Sequence, residues 1–156
     1  MKNNKPQILF GYSKKLFCEG LEFLVQSYNG YEIRGSIPFG NELIDFFKTS
    51  NNVDLLFIEL LCPTVRDMEI IKEIIEISPT VKIGLISNRP QGKIATDLID
   101  TGISVYLLKT CSRHDLFTAL EKIKDNKNYY CTEITKAILL ANNHSDKKPQ
   151  INLSVR

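Results

Sequence analysis

Short apolar runs alternate with longer amphipathic stretches along most of the chain. The runs at 7–11, 31–37, 53–60, 81–87 and 104–108 have the length of strands. The third run is apolar almost throughout, which is typical of a central parallel strand covered by helices on both faces. The pattern therefore predicts a parallel sheet with buried central strands.

The segments between these runs carry apolar residues at helical spacing. The positions are Leu16, Phe17, Leu21 and Leu24 after the first run, Leu43, Ile44 and Phe47 after the second, Ile70, Ile71, Ile74 and Ile75 after the third, and Leu116, Leu120 and Ile123 after the fifth. We expect Asn41 and Ser112 to be helix N-caps and Gly102 to follow the end of the fourth helix. A last helix is predicted over 132–142, where apolar residues again share one face.

Five strand–helix units in succession predict an α/β fold with a doubly wound, five-stranded parallel sheet and an extra C-terminal helix. Right-handed crossovers place helices on both faces of such a sheet. Functional residues are then expected in a crevice at the carboxyl ends of the strands. The residues predicted to lie there are those just after each strand: Tyr12 and Ser13, Glu59 to Pro63, Ser87 and Asn88, and Lys109 and Thr110.

Composition narrows the functional classes. The chain has 156 residues, is 43% hydrophobic and 24% charged, and has a formal net charge of +2, which is too small to predict a nucleic-acid surface. No apolar run approaches the roughly 20 residues of a membrane span, and the N-terminus has no secretory cleavage pattern, so we expect a cytoplasmic protein. The four scattered cysteines predict no zinc site. Residues 11–14 form neither a P-loop nor a dinucleotide fingerprint, which argues against a nucleotide-dependent enzyme.

Four segments of the chain together carry a family resemblance. Residues 8–21 contain the run Leu-Phe-Cys-Glu-Gly-Leu behind a short strand, residues 54–63 contain the apolar third strand and its loop, and residues 102–109 read Gly-Ile-Ser-Val-Tyr-Leu-Leu-Lys. These three resemble the receiver domain of NarL/FixJ-type response regulators, although Val105 stands where that family has a second glycine. Residues 151–156 resemble the opening of the LuxR-type helix-turn-helix domain. The resemblance implies a flavodoxin-like sheet of strand order 2-1-3-4-5.

The resemblance also implies a mechanism based on phosphoryl transfer. In the family, an aspartate after the third strand accepts a phosphoryl group from a histidine kinase, and two acids after the first strand help it to hold magnesium. A lysine after the fifth strand and a Thr or Ser after the fourth contact the phosphoryl oxygens. Magnesium requires oxygen ligands such as carboxylates, and its charge neutralises the group that is transferred.

This chain departs from the family pattern at its chemical centre. The phosphoacceptor position holds Glu59, and the acid-pair positions hold Tyr12 and Ser13. Only Ser87 and Lys109 match the functional types of the family. Because two of the three magnesium carboxylates are gone, we predict no tight magnesium site and no efficient phosphotransfer. We also predict no catalytic residues and no other cofactor.

Several roles stay open from the sequence alone. Glu59 is expected to pair with Lys109, either as a pre-activated signalling state or as an inert pair that neutralises a partly buried lysine. Ser87 is either the family's switch hydroxyl or a turn cap, and Tyr106 is either the family's switching aromatic or a half-buried residue of an edge strand. Asp67 either substitutes as an acid of the crevice or is a charge at a helix N-terminus.

The predicted organisation has three parts. Residues 1–128 form a receiver domain, 129–142 a C-terminal helix that extends it, and 143–156 a linker with the start of a missing DNA-binding domain. We expect a regulatory module that forms homodimers and controls transcription through that domain, with a histidine kinase or another signalling protein as candidate partner and no membrane contact. The alternative is a pseudo-receiver that binds a ligand or a protein.

Overall fold

The computed structural model describes residues 4–89 and 92–142, which form a parallel sheet covered by helices. The strands are β1 (Gln7–Tyr12), β2 (Glu32–Pro38), β3 (Leu55–Glu59), β4 (Lys82–Ser87), β5 (Val105–Leu108) and β6 (Tyr129–Tyr130). The helices are α1 (Lys15–Tyr28), α2 (Asn41–Thr49), α3 (Val65–Ile77), α4 (Gly92–Thr101), α5 (Arg113–Lys124) and α6 (132–142).

The strands lie in the order β2-β1-β3-β4-β5-β6, and every neighbouring pair is parallel. The predicted α/β class and the order 2-1-3-4-5 of the first five strands are confirmed. Helix α1 packs beside α5, whereas α2, α3 and α4 pack in succession, as right-handed crossovers on the two faces require. The strand order reverses between β1 and β3, and the loops that follow these strands border a crevice at this point.

The core lies in the central strands. Every residue of β3 and of β5 is buried, as the nearly continuous apolar run in the sequence predicts. Glu59 and Ser87 are buried polar residues at the carboxyl ends of β3 and β4. A buried polar group is costly unless it is hydrogen-bonded. We therefore expect these two side chains to have hydrogen-bond partners at this edge of the sheet.

The helix ends agree with two of the three predicted signals. Ser112 is the N-cap of α5 and forms a capping box with Asp115, and Gly102 follows α4 with a φ of 119°. The prediction for Asn41 is wrong, because the N-cap of α2 is Gly40 and Asn41 is the first helical residue. Gly40 has a φ of 145°, a conformation that glycine adopts without strain, so the chain enters the helix one residue earlier than expected.

The sheet has one strand more than predicted. The N–H of Tyr129 donates to the carbonyl of Ser104 (2.8 Å), and the N–H of Cys131 donates to the carbonyl of Tyr106 (3.1 Å). A strand of two residues is too short to show a hydrophobic alternation, so the sequence pattern missed it. Strand β5 is consequently an inner strand of the described sheet, and the expectation that Tyr106 lies half-buried on an edge strand is wrong.

The C-terminal helix is present over 132–142, and its residue Ile134 is fully buried. Within residues 4–89 and 92–142, no helix combines the length and the hydropathy needed to cross a bilayer. The range 143–156, predicted as a linker and the start of a DNA-binding domain, lies outside the described residues.

Candidate functional site

Glu59 lies at the bottom of the crevice, as the last residue of β3. It is paired in the sheet with Ile86 of β4, and 1% of its surface is exposed. A carboxylate this deeply buried costs several kcal/mol unless an opposite charge and hydrogen-bond donors compensate it. The neighbours of Glu59 therefore decide what the crevice can do.

Donors from two separate loops converge on the carboxylate. The N–H groups of Ser13 and Lys14 each donate to Oε1 at 2.7 Å. The hydroxyl of Ser13 lies 3.1 Å from Oε1 and 3.0 Å from Oε2. From the loop after β5, Nζ of Lys109 donates to Oε2 at 2.5 Å. Both carboxylate oxygens of Glu59 are thus fully engaged.

The Glu59 carboxylate caps the start of α1. The N-cap residue of this helix is Lys14, and its side chain makes no capping hydrogen bond. The N–H groups at the beginning of a helix lack intrahelical partners and carry a partial positive charge. Glu59 supplies the missing acceptor from the end of a neighbouring strand, so the position of α1 depends on this carboxylate.

The surroundings keep Glu59 ionised. Burial alone would raise the pKa of its carboxyl, but the hydrogen bond from Lys109 and the N–H groups of Lys14 and Ser13 outweigh that effect and hold the pKa below its usual range. The crevice therefore contains a charged pair, with the carboxylate negative and the lysine positive.

Lys109 is held by more than its carboxylate partner. Its ammonium lies 4.7 Å from the centre of the Phe17 ring, a distance typical of a cation–π contact. Its backbone N–H donates to the carbonyl of Ser87 at 2.7 Å. Only 14% of the Lys109 side chain is exposed, and the ring of Phe17 from α1 lies against its ammonium.

Ser87 and Tyr106 form a second polar pair beside the first. Their hydroxyl oxygens are 3.2 Å apart, and both residues are fully buried. Burial raises the pKa of the Tyr106 hydroxyl. The hydrogen bond with Ser87 acts in the opposite direction but is the weaker effect, so the pKa stays above its ordinary value. Tyr106 therefore lies in the inward orientation, and its neighbour Ser87 bonds to it rather than to Glu59.

Two other predicted residues lie apart from the carboxylate. The ring of Tyr12 is half-buried and lies 5.0 Å from Nζ of Lys15, and its carbonyl accepts from the N–H of Phe39. Asp67 accepts from the N–H of Thr64 at 2.9 Å as part of a capping box at the start of α3. Of the two interpretations of Asp67, the structure shows the charge at a helix N-terminus.

Sequence reasoning missed two kinds of contributor to the site. The sequence pattern places Phe17 on the apolar face of α1, and it indicates no role for the N–H groups of Ser13 and Lys14. A signal for the second was present, because a lysine at the N-cap leaves the first N–H groups of a helix without a local acceptor. No sequence signal distinguishes Phe17 from an ordinary core aromatic.

The crevice does not fit the magnesium ion that the family resemblance implies. Magnesium is held by oxygen ligands, whereas the groups that converge here are N–H, hydroxyl and ammonium donors around the Glu59 carboxylate. The acid-pair positions present Tyr12 and a hydroxyl, Ser13. Among the residues that the structure describes, no group of three His, Cys, Asp or Glu side chains is arranged to hold a metal. No chemical step through magnesium follows from this geometry.

Comparison with known proteins supports the fold and the family. Residues 13–121 match the family model described as the response regulator receiver domain. The transcriptional regulatory protein DegU of Brevibacillus brevis is 23% identical over 139 residues, which are 89% of this chain and 58% of that protein. The chain thus spans little more than half the length of this relative.

Solved structures show the same fold. A LuxR-family two-component response regulator from Aurantimonas superposes with a TM-score of 0.79 at 17% identity, over 89% of this chain and 99% of that one. The response regulator RcsB of Salmonella typhimurium superposes with a TM-score of 0.78 at 16% identity, over 87% of this chain and 66% of that one. The matched family segment includes Glu59, Ser87 and Lys109 at the carboxyl ends of the strands, where the fold places functional residues. The chain belongs to the response regulator receiver family of two-component signalling.

Proposed function

We propose that this receiver domain controls transcription without ordinary aspartyl phosphorylation, as a homodimer that positions LuxR-type DNA-binding domains. The observation that carries the proposal is that both carboxylate oxygens of Glu59, at the phosphoacceptor position, accept hydrogen bonds. Their donors are Lys109 and the N–H groups at the start of α1. The proposal keeps the cytoplasmic location and the non-enzymatic role expected from the sequence.

Two independent features argue against phosphoryl transfer. A carboxylate oxygen must be accessible to attack phosphorus, whereas both oxygens of Glu59 are buried and hydrogen-bonded. Phosphoryl transfer also relies on a cation that neutralises the developing charge, and the positions that would help to anchor magnesium hold Tyr12 and Ser13. We infer that magnesium binds weakly or not at all.

The conformation favours the pre-activated interpretation of Glu59 over the inert one. In the family, the lysine after the fifth strand contacts the phosphoryl group, and here Lys109 already contacts a negative charge. Tyr106 is fully buried and bonded to Ser87, which corresponds to the inward position of the family's switching aromatic. Toward Lys109, the Glu59 carboxylate therefore acts as a permanent internal substitute for the phosphoryl anion.

The partners follow from the relatives and from the charge of the chain. RcsB has been solved in complex with DNA and as two dimers bound to DNA. We propose that here DNA contact is made by a domain separate from the receiver domain, because the net charge of +2 is small. Input then comes from a signalling protein, a histidine kinase included, through docking rather than phosphate. The alternative of a crevice that binds a small anion is less favoured, since Glu59 already occupies the donors there.

The first test is phosphorylation. The full chain is incubated with acetyl phosphate and magnesium, with Glu59→Gln as control, and intact mass is measured. We expect no acid-labile, hydroxylamine-sensitive phosphoryl group in either protein. Such a group on Glu59 would overturn the proposal.

The second test separates the pre-activated pair from the inert one. Sedimentation equilibrium measures the dimer dissociation constant of the wild type and of Glu59→Gln, with circular dichroism as a check of folding. If the pair sets the active conformation, we expect the constant to rise about tenfold, equivalent to about 1.4 kcal/mol, within the usual range of couplings between sites. An unchanged constant in a folded variant supports the inert pair instead.

A further inference from the structure

The outward face of α1 carries large apolar side chains that the described part of the chain leaves exposed. Leu16 is 82% exposed and Phe23 is 74% exposed, more than any other large hydrophobic residue that the structure describes. They are seven residues apart and so lie on the same side of the helix. The opposite side, with Cys18, Leu21 and Val25, is buried against the sheet. Helix α1 therefore has a second apolar face.

Two small residues complete this face. Leu16, Gly20, Phe23 and Ser27 follow each other at spacings of four, three and four residues, which is the seam pattern of paired helices. We call these four residues the α1 stripe. Large and small side chains alternate along it, so each large side chain lies next to a groove.

The small residues of the α1 stripe have features that suit a helix contact. A Cβ built on Gly20 meets no atom within 4 Å, so nothing in the described fold requires glycine there. A glycine inside a helix destabilises it relative to alanine. The hydroxyl of Ser27 already donates to the carbonyl of Leu24 at 2.8 Å. Its burial in an interface would therefore leave no unsatisfied donor.

We propose that the α1 stripe binds the α1 stripe of a second copy of this chain in antiparallel orientation. The proposal rests on the homodimer proposed above and identifies its contact face. With the twofold axis between Gly20 and Phe23, Phe23 faces Gly20 of the second copy, and Leu16 faces Ser27 of the second copy. Each large side chain then meets a small one, and the symmetry fills all the grooves with the same contacts.

The charges of α1 favour the antiparallel direction. The helix begins at the N-cap Lys14 and has no basic residue in its last turn. In the antiparallel pair, Lys14 lies near the C-terminal end of the other helix, where the helix dipole favours a cation. A parallel pair would place the two lysines side by side. The same direction thus satisfies both packing and charge.

The crevice and the α1 stripe are mechanically connected. The carboxylate of Glu59 holds the start of α1 through the N–H groups of Ser13 and Lys14. Phe17, on the same helix, covers Lys109. The contacts of Glu59 and Lys109 therefore hold α1 in position. A change at this ion pair would move or loosen the helix that carries the α1 stripe.

The test compares three variants of the full chain by sedimentation equilibrium. Phe23→Glu places a charge in the centre of the α1 stripe, and Gly20→Leu fills the groove that Phe23 of the second copy needs. Val65→Glu is the matched control, because Val65 is also an exposed apolar residue at a helical position (65% exposed) outside the stripe. We expect the dissociation constant to rise more than about tenfold in the first two variants, as for central interface residues, and to stay unchanged in the control.

Thermal unfolding of the monomer distinguishes lost contact from lost fold. A side chain at position 20 has open space in the described fold, and leucine is a better helix former than glycine. The Gly20→Leu monomer is therefore expected to be at least as stable as the wild-type monomer. If the wild type dimerises and both stripe variants dimerise equally well, the contact face is wrong while the homodimer stands. If the wild type stays monomeric at its highest soluble concentration, both proposals fail.

Discussion

The two sides of the crevice satisfy their polar groups in different ways. On one side, the carboxylate of Glu59 collects donors from the loops after β1 and β5, and one of these donors is the charged Lys109. On the other side, Ser87 and Tyr106 form a neutral hydroxyl pair within the core. A phosphoryl-binding crevice needs donors from both sides to face one anion. Here each side has its own partner instead.

The difference predicts how strongly each side stabilises the fold. Removal of one partner from a buried ion pair leaves an uncompensated charge, which typically costs about 3–5 kcal/mol. Removal of one partner from a hydroxyl pair leaves an unsatisfied dipole, which typically costs about 1–3 kcal/mol. Variants on the Glu59 side should therefore have the larger effects.

The largest effect is expected for Glu59→Ala. This change removes the acceptor of the N–H groups at the start of α1 and leaves Lys109 without its anion, so we expect the free energy of unfolding to fall by about 3 kcal/mol. Urea unfolding measures the change. The matched control is Glu76→Ala on the exposed side of α3, with an expected effect within about 0.5 kcal/mol. A loss at Glu59 no greater than the control would show that the pair is not a stabilising element.

The next effect is expected for Lys109→Met, and it depends on pH. We expect a loss of about 2 kcal/mol at neutral pH, smaller than for Glu59→Ala because the carboxylate keeps the N–H donors of Ser13 and Lys14. The pKa of Glu59 in the folded protein lies below its ordinary value of 4.5. Its ionised form therefore contributes stability that is present above pH 4.5 and is lost as the pH falls through the folded pKa.

The pH dependence gives this prediction its own check. In Lys109→Met the main cause of the lowered pKa is absent, so less stability remains to be lost in acid. The difference between the wild type and the variant should therefore narrow as the pH falls below 4.5. A difference that stays constant from neutral to acid pH would contradict an ion pair at Glu59.

The sequence predicted the fold more completely than it predicted the contacts of the site. The run from Leu55 to Ile58 is apolar at every position, so β3 and its central place followed directly. Strand β6 has two residues and no alternation, and it was missed. Because β6 pairs with β5, Tyr106 lies opposite Tyr130 on an inner strand and is fully buried, which the sequence pattern did not predict.

The site was predictable at the level of residue types and strand ends. Glu59, Ser87 and Lys109 were placed in one crevice because parallel strands end at the same edge of the sheet. Their partners were harder to predict. The main donors to Glu59 besides Lys109 are backbone N–H groups, which every residue except proline carries, so only the uncapped start of α1 indicated them. The pairing of Ser87 with Tyr106 depends on side-chain directions inside the core, which the sequence pattern does not encode.

A smaller effect is expected for Glu59→Asp, which restores the family's residue at the phosphoacceptor position. The shorter side chain cannot reach both the N–H groups at the start of α1 and Nζ of Lys109, so we expect a loss of about 1–2 kcal/mol. Phosphorylation should not be restored, because Tyr12 and Ser13 still provide no carboxylates. Rapid magnesium-dependent uptake of a phosphoryl group by this variant would show that the phosphoacceptor alone disables the site.

The smallest effects are expected on the hydroxyl side. Ser87→Ala and Tyr106→Phe each leave one buried hydroxyl without its partner, at a cost of about 1 kcal/mol. The double variant removes both hydroxyls and should cost less than the sum of the single changes, with a coupling of at least about 0.5 kcal/mol. Urea unfolding of the four proteins measures this cycle.

Neither single change should alter the loss of stability at acid pH that results from Glu59, because the hydroxyl pair makes no hydrogen bond to that carboxylate. If Ser87→Ala changed that loss, the two sides would be coupled, and the crevice would act as one anion site after all.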